Sequence, residues 1–171
     1  MIAGVGGAFL TGWASDRFFQ SRRAPMAAIL YGVMLVSFIV LAATFGASNL
    51  WFAGSAAFAI ALSVIGVHGI MSGTSTADFG GKKNVGAAVG IVDGMVYLGT
   101  GLQALVIGNI APVKEAAKIP GNWIWWPVFL IPFAVIGLVL SAKIWNAVPK
   151  RGEAKPAPAA APVEAAVESE A

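Results

Sequence analysis

The sequence contains no cysteine and a single histidine. The first absence removes disulfides, thiolate nucleophiles and cysteine-type zinc sites together. The second argues against a metal-centred enzyme, because imidazole is the commonest metal ligand that proteins offer. Charge is scarce too: 11% of the residues are charged, where a soluble domain carries roughly 25% or more. The formal net charge of +3 is small, and no basic patch is interleaved with aromatics, so nucleic acid is not an expected partner. No phosphate-binding glycine loop joins a strand to a helix, and no serine–histidine–carboxylate arrangement stands out. These absences describe a protein that is not an enzyme and that needs neither cofactor nor metal.

What the chain has is apolar length. Hydrophobic residues make up 58% of it, and the mean hydropathy is +0.80. The segment 1–14 is apolar and glycine-rich, yet Met1–Ser15 as a helix covers only ~22 Å of a bilayer core ~30 Å thick. It lacks the basic leader of a signal peptide and reads as a truncated transmembrane helix. Four complete spans are expected at 24–45, 50–77, 85–111 and 123–145, each longer than the ~20 residues that cross a bilayer. They make 24–147 a four-helix transmembrane region after a loop at 15–23. Trp123, Trp125 and Trp126 open the last span, as an interfacial aromatic belt does. Residues 148–171 are rich in Pro, Ala and Glu and poor in large apolar groups, which predicts a disordered tail.

Orientation follows from the cations. Of the lysines and arginines, all but Lys114 and Lys118 fall in the first loop, in the 78–84 connection, or at and after the end of the last span. The positive-inside rule then places those segments and the C-terminus in the cytoplasm, and the protein in an inner (cytoplasmic) membrane. The spans 24–45 and 123–145 lack ionisable groups before Lys143 and are expected to face lipid. The other two carry polar groups that should face protein or water.

His68 and Asp93 are the ionisable residues deep within spans. Each lies ten residues from the cytoplasmic end of its helix, marked by Asp78 and Lys83, which is ~15 Å deep. A hairpin of the two spans brings them to one level near the midplane. Both are expected to face a cavity and to share a proton or a polar ligand there. The plainer reading is that each hydrogen-bonds a neighbouring helix. Gly86, Gly90 and Gly94 recur every four residues on one helix face, as a close-packing surface would.

The segment GWASDRFFQSRRAP resembles the loop signature of the major facilitator superfamily, with Gly12, Asp16, Arg17, Arg22 and Arg23 in its places. The wording is closer still to the organophosphate:phosphate antiporter family. GTSTADFGGKKNVGAAVG, over 73–90, is similar to that family's connection between its tenth and eleventh helices, and Tyr97 falls where members have a cavity tyrosine. The resemblance covers about residues 3–145. It implies an all-α membrane fold in which this chain is the C-terminal part, from the end of helix eight through helix twelve, of a twelve-helix carrier.

Tyr97 by this resemblance, and His68 and Asp93 by their depth, are expected to line the substrate cavity, while the resemblance implies that Gly12, Asp16, Arg17, Arg22 and Arg23 latch one state of alternating access. The partners implied are the lipid bilayer, a small anionic solute and a missing N-terminal half, without which the fragment is expected to be inactive. Two departures stand out. Gly66-Val67-His68 replaces the family's Tyr-Gly-Pro run, and Asp93 sits at an uncharged position. The family grips phosphate with arginines from helices outside this chain, and none of the spans here contains an arginine. The implied function is secondary transport of small organic anions such as phosphorylated metabolites. The alternatives are a membrane sensor of sugar phosphates or the remnant of a broken gene.

Overall fold

The structure, a computed structural model, describes residues 2–45 and 50–148, excepting the side chains at 2–3, 50 and 80–83. The tail proposed for 148–171 lies, from residue 149 on, outside the described residues. Among the described residues, five α-helices account for most of the length: α1 (Ile2–Phe18), α2 (Arg23–Thr44), α3 (Leu50–His68), α4 (Thr76–Ile110) and α5 (Trp125–Lys143). A π-helical segment, Gly69–Ser75, joins α3 to α4, and two 3-10 turns, Lys114–Lys118 and Pro120–Ile124, lead from α4 to α5. There is no strand among the described residues. Among the described residues, four segments are long and apolar enough to cross a membrane: Arg23–Thr44, Trp51–Phe79, Asn84–Ile110 and Pro120–Lys143. The protein is an all-α, multi-pass membrane protein.

Small residues set how closely the helices approach. On α1, Gly4, Gly7 and Thr11 recur three or four residues apart and face α3. A Cβ at Gly7 would collide with the Leu62 carbonyl oxygen, and one at Gly66 would lie 2.6 Å from Thr11 Oγ1. The Thr11 hydroxyl donates to the Gly7 carbonyl, which keeps a buried polar group satisfied inside the seam. Between α2 and α5, the Tyr31 ring lies where a Cβ on Gly137 would stand. Buried Pro127, Ala134 and Ser141, seven residues apart, form the α5 side of that contact. The core cluster joins three helices through Leu30, Met34 and Phe38 of α2, Val67 of α3 and Ala134 of α5.

The apolar span 24–45 is therefore the central one, contrary to its expected place facing lipid. Burial reaches 39% over the most apolar stretch of Arg23–Thr44 and is nil over that of Asn84–Ile110. The reason is size: Ala24, Ala27 and Ala28 are buried on α2, and small residues let neighbouring backbones approach from two sides. Polar content decides which helices avoid lipid, but close packing decides which one sits in the middle.

Helical geometry also continues through residues 78–84, where the composition suggests a loop. Ser72 and Asp93 nevertheless hydrogen-bond across 21 residues. A straight helix would hold them ~30 Å apart, so the chain reverses between them within a helically bonded stretch. That reversal brings the second span alongside the third.

Candidate functional site

The π-helical run GIMSGTS widens the backbone where the second span meets the reversal. Wide turns misalign carbonyls, and hydroxyl side chains can satisfy them from the preceding turn. Thr74 Oγ1 donates to the Ile70 carbonyl at 3.0 Å and Thr76 Oγ1 to the Gly73 carbonyl at 2.9 Å. Ser72 differs from these: its hydroxyl donates to Asp93 Oδ1 across the helix pair. His68, one turn earlier on the same face, brings Nε2 to 3.9 Å from that carboxylate oxygen. This is too long for a hydrogen bond but within ion-pair reach once the imidazole is protonated. Both side chains are partly open, with relative exposures of 40% for His68 and 33% for Asp93.

His68 and Ser72 line a cavity of about 440 Å³, together with Tyr31 and Met34 of α2 and Val92, Val96 and Tyr97 of α4. The site thus joins an apolar wall to two phenols, a hydroxyl and an imidazole, with a carboxylate bonded to one of its lining groups. Mostly apolar walls with a few convergent polar groups are the usual make-up of a small-molecule site. Tyr97 is 70% exposed, so its ring borders the cavity on the side where this chain supplies no cover. A larger space of about 570 Å³ lies between α4 and α5, but its lining is apolar except for Thr100 and Gln103. No group of three or more metal-ligating side chains occurs among the described residues.

A second polar cluster ties the helix ends together. Arg23 Nη1 donates to Asp16 Oδ1 at 2.7 Å and Arg23 Nε to Asp78 Oδ2 at 2.9 Å. One guanidinium, only 11% exposed, therefore joins α1, α2 and α4. The turn that aims it is tight: Gln20 and Ser21 both adopt positive φ, 53° and 62°, a conformation costing ~1 kcal/mol per non-glycine residue. Ser15 Oγ donates to the Arg22 carbonyl at 3.1 Å and Arg22 Nε to the Phe19 carbonyl at 3.2 Å, which holds the turn closed. Phe19 meets Trp145 edge to face, with ring centroids 6.2 Å apart, so the end of α5 lies at this same end of the bundle.

The structure thus brings His68 and Asp93 together, with Tyr97 on the same cavity, and joins Asp16 to Arg23. Arg17 is exposed and pairs with no carboxylate among the described residues. Gly12 has open space where a Cβ would stand, and so do Gly86, Gly90 and Gly94. The expected close-packing face of α4 is uncovered in this chain, and the close approaches occur at Gly7, Gly66 and Gly137 instead. Sequence reasoning assigned no role to Ser72 or Tyr31 and marked Asp78 only as a helix end. For Ser72 a signal existed, since it follows His68 by four residues and so shares its helix face.

Comparison with known proteins bears on what this arrangement serves. The chain is 30% identical over 148 residues to a probable hexose phosphate transport protein of Chlamydia trachomatis, covering 85% of this chain and 30% of that protein. It is 29% identical over 144 residues to the glycerol-3-phosphate transporter of Bacillus subtilis, covering 84% of this chain and 31% of that one. This chain is a relative of the organophosphate transporters of the major facilitator superfamily. It is also 29% identical over 145 residues to the membrane sensor protein UhpC of Escherichia coli, covering 80% of this chain and 29% of that one. The chain spans about 30% of the length of these relatives. No family model matches the sequence, and no solved structure matches the chain.

Proposed function

We propose that this chain forms one wall of the solute pathway in a secondary transporter of small organic anions, phosphorylated metabolites among them. The observation that carries this reading is the cluster of His68, Ser72 and Asp93 beside a cavity between membrane-length helices. Groups so costly to place in hydrocarbon are kept in spans where a solute or ion must pass. The named relatives are transport proteins and a sensor, which supports a role in solute handling rather than catalysis.

Tyr97, open to the side that this chain leaves uncovered, faces the position of an opposing N-terminal half, and exchange proceeds by rocking of the two halves about the cavity. The Asp16–Arg23–Asp78 bridge is the latch: it ties three helix ends in one state and opens in the other. We place that end, with the C-terminus, in the cytoplasm of an inner membrane, since the cations of the first loop and of the last span's end converge there.

The test is counterflow. Membrane vesicles from a host making the gene's full product are loaded with phosphate and offered labelled glycerol 3-phosphate or a hexose 6-phosphate. Entry that depends on internal phosphate supports the reading, and its absence sinks it. Similarity to a membrane sensor favours a second reading, in which the same cavity binds a sugar phosphate and reports it. Saturable binding without counterflow separates that case.

A further inference from the structure

We propose that the His68–Asp93 pair is a proton-binding site that takes up one proton when an anionic solute enters the cavity and releases it when the solute leaves. The inference rests on the solute-pathway reading above and deepens it.

The argument is one of charge. His68 is the sole side chain within the four membrane-length segments, other than those at their ends, that can become a cation beside the cavity. Its imidazole lies 3.9 Å from the Asp93 carboxylate. With Asp93 ionised, a charged imidazole is already neutralised, and an arriving anion meets a fixed negative charge at the same place. Like charges brought together in one cavity repel. One added proton removes the conflict: Asp93 becomes a neutral hydroxyl donor, and the imidazolium is freed to face the anion.

The neighbours leave this pair to answer alone. From α2 the cavity receives Tyr31, from the π-helical segment Ser72, and from α4 itself Tyr97; these are neutral hydroxyl groups. α5 brings no ionisable group before Lys143. Asp16, Arg23 and Asp78 are paired with one another at the helix ends. The Ser72 hydroxyl bonded to Asp93 holds the carboxylate in place in either protonation state, since a serine can donate or accept.

The step moves one proton and no electrons. An oxygen of the pair gains it from water on the side where the cavity is open, and returns it to water on the side where the solute departs. Because the two groups interact, the proton belongs to the pair rather than to one residue. Solute and proton then cross together.

The experiment uses the protein purified from its membrane, in weakly buffered detergent with a pH indicator, with binding measured in the same samples. Glycerol 3-phosphate is the probe at slightly alkaline pH. We expect about one proton taken up per solute bound, and affinity falling ~10-fold per pH unit once the pair is deprotonated, as one linked proton requires. Asp93→Asn, which mimics the neutral carboxyl, should bind the probe with no proton uptake from the pair and with a flattened pH dependence. Any protonation change of the phosphate itself is common to both proteins and cancels in the difference. Binding with equal proton uptake in wild type and Asp93→Asn would overturn the proposal while leaving the solute site intact. So would binding without any uptake. Failure of folded wild-type protein to bind glycerol 3-phosphate, hexose 6-phosphate or phosphate would overturn the solute reading and this inference with it. Should Asp93→Asn prove unstable, His68→Gln serves: it removes the cation but keeps the carboxyl that takes the proton, so binding should weaken while uptake per bound solute persists, and unweakened binding would count against the pair.

Discussion

Arg23 sits where three helices end because its planar fork can serve two carboxylates at once, which a lysine cannot do in the same geometry. The contacts to Asp16 at 2.7 Å and Asp78 at 2.9 Å differ in setting, for Asp16 is 58% exposed and Asp78 27%. The Asp78 bond is the stronger contributor, since exposed pairs are worth little. Arg23→Gln should destabilise the folded protein in detergent by about 1–3 kcal/mol, with Arg23→Lys intermediate and Arg17→Gln within ~0.5 kcal/mol of wild type. Denaturation curves of the three variants check this. A larger loss for Arg17→Gln than for Arg23→Gln would move the latch back to the Asp-Arg dipeptide of the sequence signature. That dipeptide drew attention to Arg17, yet a helix spreads adjacent side chains ~100° apart, and the turn through Gln20 and Ser21 is what delivers Arg23.

At the scale of helices, the spans were legible because lipid imposes one requirement, ~20 apolar residues in a row, that needs no partner to recognise. The pairing of His68 with Asp93 was legible for a related reason: in a hairpin, equal distance from the turn means equal depth. What stayed hidden was lateral arrangement. Nothing in a uniformly apolar run such as 24–45 says which face meets protein, because lipid and leucine are equally apolar. The structure answers through small residues, with Gly7, Gly66 and Gly137 at the close approaches. The π-helical widening at Gly69–Ser75 was hidden as well, because it depends on how the chain is pulled around the reversal. Gly7→Ala should cost about 1–3 kcal/mol, since the added methyl meets backbone that cannot swing aside. Gly90→Ala has open space in this chain and, in isolation, should be neutral or stabilising by up to ~1 kcal/mol. Thermal melts of both variants decide it. A destabilising Gly90→Ala in the native membrane would mean that a part of the carrier beyond this chain packs on the Gly86–Gly90–Gly94 face.

The whole molecule is unevenly covered. Around α2 the bundle is packed, whereas α4 turns Ile91, Met95, Leu98, Leu102 and Leu105 outward at 65–67% exposure. Polar residues of the site, glycines of the open face and the exposed Tyr97 all belong to that least covered region or border it. Under the proposed function, that one-sided cover is where an opposing half of a carrier would pack. Thiol labelling of introduced cysteines tests this most directly, because the chain has none of its own. Tyr97 and Met71 both line the cavity, so Tyr97→Cys and Met71→Cys each place one thiol on it, to be labelled in intact vesicles by a small charged reagent. The account predicts that labelling proceeds from water and that glycerol 3-phosphate slows it severalfold at both positions, while glycerol has no effect. Labelling that glycerol 3-phosphate, hexose 6-phosphate and phosphate all leave unchanged, or no labelling at either position, would contradict the claim that this cavity carries the solute.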